Sequence, residues 1–137
     1  LYYIAALNNF IVEGTGNKVE DFGIGFYTKY GDGGVDISPI ADLLKSEVFN
    51  LAKYHNIIDE IIEAKPTDGL WNDNRSDEEQ IGATYDELEI AMLNVAESKS
   101  NLSERETQVV NILNSLNLSN KHKMNPIPVC EIPRDYI

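Results

Sequence analysis

Cysteine is nearly missing from this 137-residue sequence: Cys130 stands alone, and histidine occurs only at His55 and His122. One thiol cannot form an internal disulfide, and these three side chains do not assemble a Cys/His zinc site, so a bound metal would have to sit on oxygen. No run of about 18 apolar residues is present to span a membrane. The first residues show neither the basic stretch nor the small-residue cleavage pattern of a secretory signal, which makes the cytoplasm the expected setting. Bases are scarce as well, 11 Lys and Arg against 23 Asp and Glu, for a formal charge of -12. From Asp59 to Glu106 there are 14 acids and 4 bases, whereas residues 107 to 137 carry 2 acids and 3 bases. That balance excludes a general nucleic-acid footprint. Most of the acid excess reads as solvated helix surface. What remains, at 42% hydrophobic residues, is at most one ordinary soluble domain.

An initiating methionine is absent too. The chain opens on Leu1-Tyr2-Tyr3-Ile4-Ala5-Ala6-Leu7, an apolar helical segment with no capping residue before it. This reads as a cut through a helix, and the chain is expected to be the C-terminal part of a longer protein. The aromatic and aliphatic side chains of this segment exceed the need of one peripheral helix, which predicts a two-fold dimer.

Phe10-Ile11-Val12-Glu13 is a short β-prone run that stops at Gly14-Thr15-Gly16-Asn17. Its continuous rather than alternating apolar character predicts a central buried strand of a parallel sheet. In such sheets ligands bind beyond the carboxyl ends of strands, which points to residues 14 to 20; a plain strand-to-helix turn is the alternative. Residues 23 to 36 hold five glycines among Phe26, Tyr27 and Tyr30. They match neither the GxxxxGK[ST] phosphate loop nor a complete GxGxxG fingerprint, so a ligand loop and an ordinary turn both remain open.

Helices follow. Ser38-Pro39 suits a helix start, with Leu44, Val48, Leu51 and Ala52 on one face. Three capping boxes, Ser76 with Glu79, Thr84 with Glu87 and Ser103 with Glu106, mark further starts. The stripes Leu88, Ala91, Met92, Val95 and Val109, Leu113, Leu116 read as core. The tail from Asn120, with three prolines, is expected to be extended. Asn72 to Asp77 lacks the glycine and the closing glutamate of a calcium loop and reads as solvated.

Single polar residues sit at the edges of these elements: Thr15, Glu20, Lys29, Asp32, Asp36, Lys45, Thr67, His122 and Lys123. Lys45 is the most informative, because a cation near a helix start opposes the macrodipole and is favoured chiefly where an anion shares the site. Its plain alternative is a solvated lysine.

The ordered blocks Gly14-Thr15-Gly16-Asn17-Lys18-Val19-Glu20, Phe26-Tyr27-Thr28-Lys29-Tyr30-Gly31-Asp32-Gly33-Gly34, Pro39-Ile40, Lys45, Lys65-Pro66-Thr67-Asp68-Gly69-Leu70-Trp71, Asp77-Glu78, Gly82, Tyr85 and His122-Lys123 together resemble the NAD synthetase family. The likeness is dense from Leu1 to Tyr85 and resumes at the His-Lys pair. It implies a three-layer α/β/α parallel-sheet fold, Rossmann-like and of the ATP pyrophosphatase type, with residues 1 to 137 forming the C-terminal part of a single synthetase domain. It also implies a homodimer that adenylates the carboxylate of deamido-NAD with ATP and amidates it with ammonia. By that resemblance Thr15, Lys45 and Thr67 contact ATP, Glu20 binds magnesium, and Lys29, Asp36, His122 and Lys123 contact deamido-NAD. Asp32 would accept a proton from the incoming nitrogen.

Two departures stand out. The family's phosphate-gripping Ser-Gly-Gly-x-Asp-Ser loop is not among these residues, and a complete catalyst would need it. The stretch between Glu20 and Lys29 is one residue longer than the family pattern, through Asp21-Phe22-Gly23-Ile24-Gly25. A glutamine-dependent relative with a glutaminase domain ahead of Leu1, and a nucleotide-binding module without turnover, are the alternatives.

Overall fold

The computed structural model describes residues 1–67, 69 and 75–136. Helix α1 (Tyr2–Asn8) ends at Asn9, whose left-handed backbone lets its N–H reach the Ala5 carbonyl. Of this helix only Ala5 is buried; Tyr3, Ile4 and Leu7 are exposed. The Phe10 to Glu13 run departs from its expected form. Among the described residues it makes one isolated parallel bridge, Glu13 to Ile37, with Gly14 N–H donating to the Ile37 carbonyl and Asp36 N–H to that of Val12, both at 2.8 Å. Val12 is 6% exposed, but Phe10 and Ile11 are 69% and 62% exposed. A strand is covered on both sides only where a sheet carries helices on both faces, and here only the Val12 side turns inward. The described residues are thus mostly helical, and the layered sheet is not seen in them.

After the Gly14–Asn17 loop the chain winds into a π-helical segment, Lys18–Ile24. Asn17 starts it: its side-chain oxygen accepts from the N–H groups of Val19 and Glu20. Gly25 ends it with φ +64° and returns its N–H to the Glu20 carbonyl five residues back. Closure onto a carbonyl five residues back is the wider winding of a π-helix rather than that of an α-helix.

Helix α2 (Lys45–Tyr54) starts six residues later than Ser38-Pro39 suggests. Residues 39–43 form turns, and the helix begins where the Glu47 carboxylate accepts from the Leu44 N–H. Short helices α3 (Asp59–Ile62) and α4 (Asp77–Ile81) follow, then α5 (Tyr85–Ala96) and α6 (Glu104–Met124). All three capping boxes form as the sequence indicates. Helix α6 runs through Met124, so His122 and Lys123 lie in its last turn and not in an extended tail. No proline interrupts before Pro126, and Lys121, His122 and Lys123 suit the negative end of the helix dipole. Asn72, Asp73 and Asn74 lie outside the described residues, as do Asp68, Leu70 and Trp71.

The core joins the π-helical segment to α5 and α6. Val19, Ile24, Leu88 and Val109 are essentially sealed from solvent, with Ile81, Ala83, Tyr85, Ala91 and Leu113 around them. Val95 is 46% exposed and stands off this core, while Met92 and Leu116 pack against it.

A surface clamp holds α5 to the start of α6. Arg105 Nε and Nη2 donate to the two Glu87 oxygens, each at 2.7 Å. That fork, with the Thr84 N–H, holds the Glu87 carboxyl down at about 2; Ser103 chiefly holds Glu106 at about 2 as well. The folded state therefore binds fewer protons than the unfolded chain between the usual 4.5 and about 2. Their contribution is complete above pH 4.5 and is expected to fade as pH drops through 2. Thermal melts across that range should show Arg105→Ala with a shallower acid loss than the unsubstituted protein; parallel curves would refute the assignment.

Candidate active site

The start of α2 and the π-helical segment meet around one ion pair. Lys45 Nζ donates to Glu20 Oε1 at 2.7 Å, and both side chains are less than one-fifth exposed. Asn17 Nδ2 donates to the other Glu20 oxygen. Lys45 also lies 4.8 Å from the centre of the Tyr85 ring, a cation–π placement. The Tyr85 hydroxyl donates to Asp77 Oδ2 at 3.4 Å. Burial first, and then the carboxylates of Glu20 and Asp77, push the Tyr85 phenol far above its ordinary range, so it stays a donor. The anion expected beside Lys45 is therefore already present as a protein carboxylate.

Next to Glu20, Asp21 is pushed up to about 6, chiefly by burial and then by Glu20 and Asp32. Its carboxylate fills the space beside Gly16, where an added Cβ would come within 2.0 Å of Asp21 Oδ2. Asp21 thus lies electrically between the Glu20–Lys45 pair and the glycine-rich loop. In that loop, Asp32 Oδ1 accepts from the Thr28 N–H at 2.8 Å.

Helix α6 fastens the loop from the other side. Asn117 Nδ2 donates to the carbonyls of Phe22 and Gly23, Asn120 Nδ2 to that of Ile24, and Lys123 Nζ to those of Gly25 and Tyr27. Side chains at intervals of three on one helix thereby satisfy the carbonyls that the end of the π-helical segment leaves exposed. Lys29 Nζ completes the contact by donating to the His122 carbonyl. Two adjoining clefts result. One, of about 590 Å³, is lined by Gly25, Phe26, Tyr27, Thr28, Asp32, Asn120 and Lys123. The other, about 490 Å³, is lined by Tyr27, Thr28, Lys29, Tyr30, His122 and Lys123.

A profile of the NAD synthase family matches residues 1–127. The chain belongs to the NAD synthase family. It is 40% identical over 131 residues to the NH3-dependent NAD+ synthetase of Archaeoglobus fulgidus, a match covering 96% of this chain and 51% of that protein. Among solved structures it resembles an NMN synthetase from Francisella tularensis, with TM-score 0.81 and 32% identity over 96% of this chain and 51% of the other. An NH3-dependent NAD synthetase from Campylobacter jejuni shares the fold, with TM-score 0.70 and 24% identity over 96% of this chain and 49% of the other. The chain spans about half the length of the relatives it matches.

Within this NAD synthase chain the structure sorts the nine residues singled out above into groups. Glu20 and Lys45 touch, and Thr15 is exposed on the loop just ahead of Glu20. Lys29, Asp32, His122 and Lys123 share the two clefts. Asp36 lies at the bridge: Oδ2 accepts from the Val12 N–H at 2.7 Å and Oδ1 from the Tyr2 hydroxyl at 3.2 Å, joining α1 to the bridge. Thr67 donates to the Arg75 carbonyl and accepts from the Gly69 N–H, and the carbonyl of Pro66 before it accepts from the Asp77 N–H. The residues that organise these groups were not legible beforehand. Asn17, Asn117 and Asn120 are not among the nine, although both α6 asparagines continue the Leu113 and Leu116 stripe. Glu89, an acid on the buried stripe of α5, is the clearest signal of this kind in the sequence.

Proposed function

We propose that the protein containing these residues converts deamido-NAD to NAD, using ATP and ammonia. The carboxylate of deamido-NAD attacks the α-phosphorus of ATP, giving an acyl-adenylate and pyrophosphate. Ammonia then adds to the activated carbonyl and AMP leaves with the C–O electron pair. The observation that carries this reading is the 40% identity to an NH3-dependent NAD+ synthetase over 96% of the chain.

The side chains suit the roles. Thr15, Lys45 and Thr67 would contact ATP. Lys29, Asp36, His122 and Lys123 would contact deamido-NAD, with Lys29, His122 and Lys123 placing cationic and hydrogen-bonding groups around the two clefts. Asp32, in the same cleft as Lys123, would take the proton released when ammonia becomes an amide. Magnesium fits the donor chemistry: Glu20 offers a carboxylate, and since no group of three or more metal-binding side chains occurs among the described residues, nucleotide phosphates would supply the other oxygens. When bound, it would offset phosphate charge. The layered α/β/α sheet, a homodimer using the exposed face of α1, and a cytoplasmic setting belong to the same reading. Among the described residues no helix is long and apolar enough to cross a membrane.

The likeness to an NMN synthetase, at TM-score 0.81, favours a second reading in which the deamido mononucleotide is the substrate. The intact protein, given ATP, magnesium and ammonium with either acid, separates the two. NAD and AMP formed in equal amounts, with the higher kcat/KM on deamido-NAD, is the expected result. A higher kcat/KM on the mononucleotide would transfer the assignment to NMN synthesis. Turnover with glutamine but not ammonium would mark a glutamine-dependent enzyme, and ATP binding without AMP release would leave a nucleotide-binding module.

A further inference from the structure

Lys45 is the first residue of α2, and the residue after it is held from another helix. Ser46 N–H donates to Glu89 Oε1 at 2.9 Å, and Ser46 Oγ donates to Glu89 Oε2 at 2.7 Å. Glu89 lies on α5, is only 9% exposed, and stands one helical turn after Tyr85. Residues four apart share a helix face, so this face of α5 meets the start of α2 twice. Tyr85 lies under the Lys45 ammonium, and Glu89 grips the neighbouring backbone N–H.

A carboxylate is seldom this deeply buried unless it is fully engaged. This one spends both oxygens on a single serine rather than on a cation. Helix α2 has no side-chain cap of its own at Leu44, so Glu89 satisfies one of the N–H groups that every helix start leaves open. It also places a negative charge at the positive end of the helix, where it offsets the local potential that Lys45 opposes. A two-point grip removes the freedom of α2 to rotate or fray at Ser46, and thereby limits where Lys45 can carry its charge.

We propose that Glu89 and Ser46 are positioning residues for Lys45, setting the helix start so that its ammonium is presented to nucleotide phosphate at the Glu20 site. The inference rests on the reading of Lys45 as an ATP contact. Neither Glu89 nor Ser46 touches substrate. Their effect runs through Lys45, which separates positioning from general support of the fold.

Steady-state kinetics of the intact protein with ATP, magnesium, ammonium and deamido-NAD tests this with Glu89→Gln, Ser46→Ala and Ser46→Thr. Glu89→Gln is expected to raise the KM for ATP about tenfold, the usual scale for losing a hydrogen bond to a charged group. Ser46→Ala should raise it less, Ser46→Thr should restore it by keeping the hydroxyl, and the KM for deamido-NAD should stay within about twofold throughout. Added to Lys45→Ala, Glu89→Gln should change the KM for ATP no further, because the group it positions is gone. An equal rise in both KM values, or a full additional effect in the Lys45→Ala background, would overturn the proposal. If Glu89→Gln fails to fold, the Ser46 pair decides, and a KM for ATP unchanged in Ser46→Ala overturns it. Should Lys45→Ala itself leave the KM for ATP unchanged, the reading of Lys45 falls first and takes this inference with it.

Discussion

Lys45→Met is expected to raise the KM for ATP between about tenfold and about a hundredfold, while the KM for the nicotinate substrate stays nearly constant. The substitution keeps a long apolar stem over the Tyr85 ring and removes only the ammonium. Losing one charge-assisted hydrogen bond to phosphate is worth about 1.5 to 3 kcal/mol, and about 1.4 kcal/mol is tenfold in binding. The same change strands Glu20, which keeps Asn17 but loses its cation at 2.7 Å. Removing one partner of a largely buried pair is destabilising, so a fall in melting temperature should accompany the kinetic change. The double variant Lys45→Met with Glu20→Gln separates the effects. It should recover much of the melting temperature, since no unpaired carboxylate remains, and recover none of the ATP affinity. Calorimetric titration with a non-hydrolysable ATP analogue and magnesium measures the second quantity directly. Unchanged affinity in Lys45→Met would return this residue to a purely internal ion pair.

The other large effect is on folding, at Gly25. This residue has φ +64° and lies buried where the π-helical segment meets α6. A Cβ there would sit 2.5 Å from Asn120 Cβ and 2.8 Å from Met124 Cε. Asn120 cannot simply swing away, because its Nδ2 serves the Ile24 carbonyl at 2.9 Å. Gly25→Ala therefore combines about 1 to 2 kcal/mol for a left-handed backbone with about 1 to 3 kcal/mol for overpacking. The expected loss is roughly 2 to 5 kcal/mol in urea unfolding. Gly82→Ala is the control. It has φ +84° at the end of α4, but its nearest neighbour to an added Cβ is Ile112 Cδ1 at 3.8 Å, so only the backbone cost of about 1 to 2 kcal/mol applies. Equal losses at both glycines would mean that α6 does not constrain the loop. A greater loss at Gly25 would also disturb the clefts lined by Tyr27 and Lys123, and substrate affinity should fall with stability.

The opening helix, the three capping boxes and the stripes around Leu88, Val109 and Leu113 could be read from residue order, because each depends on neighbours within a turn or two. Lys45 could be marked as a cation needing an anion for the same local reason. The bridge at Glu13 could not. A continuous apolar run states that burial is wanted without saying what covers it, and here Val12 alone turned inward while Phe10 and Ile11 stayed open. Nor is the end of α6 a local matter: prolines further on suggest an extended tail, yet Asn117, Asn120 and Lys123 hold the helix against carbonyls more than 90 positions earlier. What local order determined was which segments wind into helices and which groups carry charge. Tertiary structure alone decided that Glu20 lies against Lys45, that Glu89 grips Ser46, and that Lys29, Asp32, His122 and Lys123 share adjoining clefts. These are meetings of single donors and acceptors across long stretches of chain, and no periodicity records them, because they depend on the angle and depth at which the π-helical segment, α5 and α6 pack.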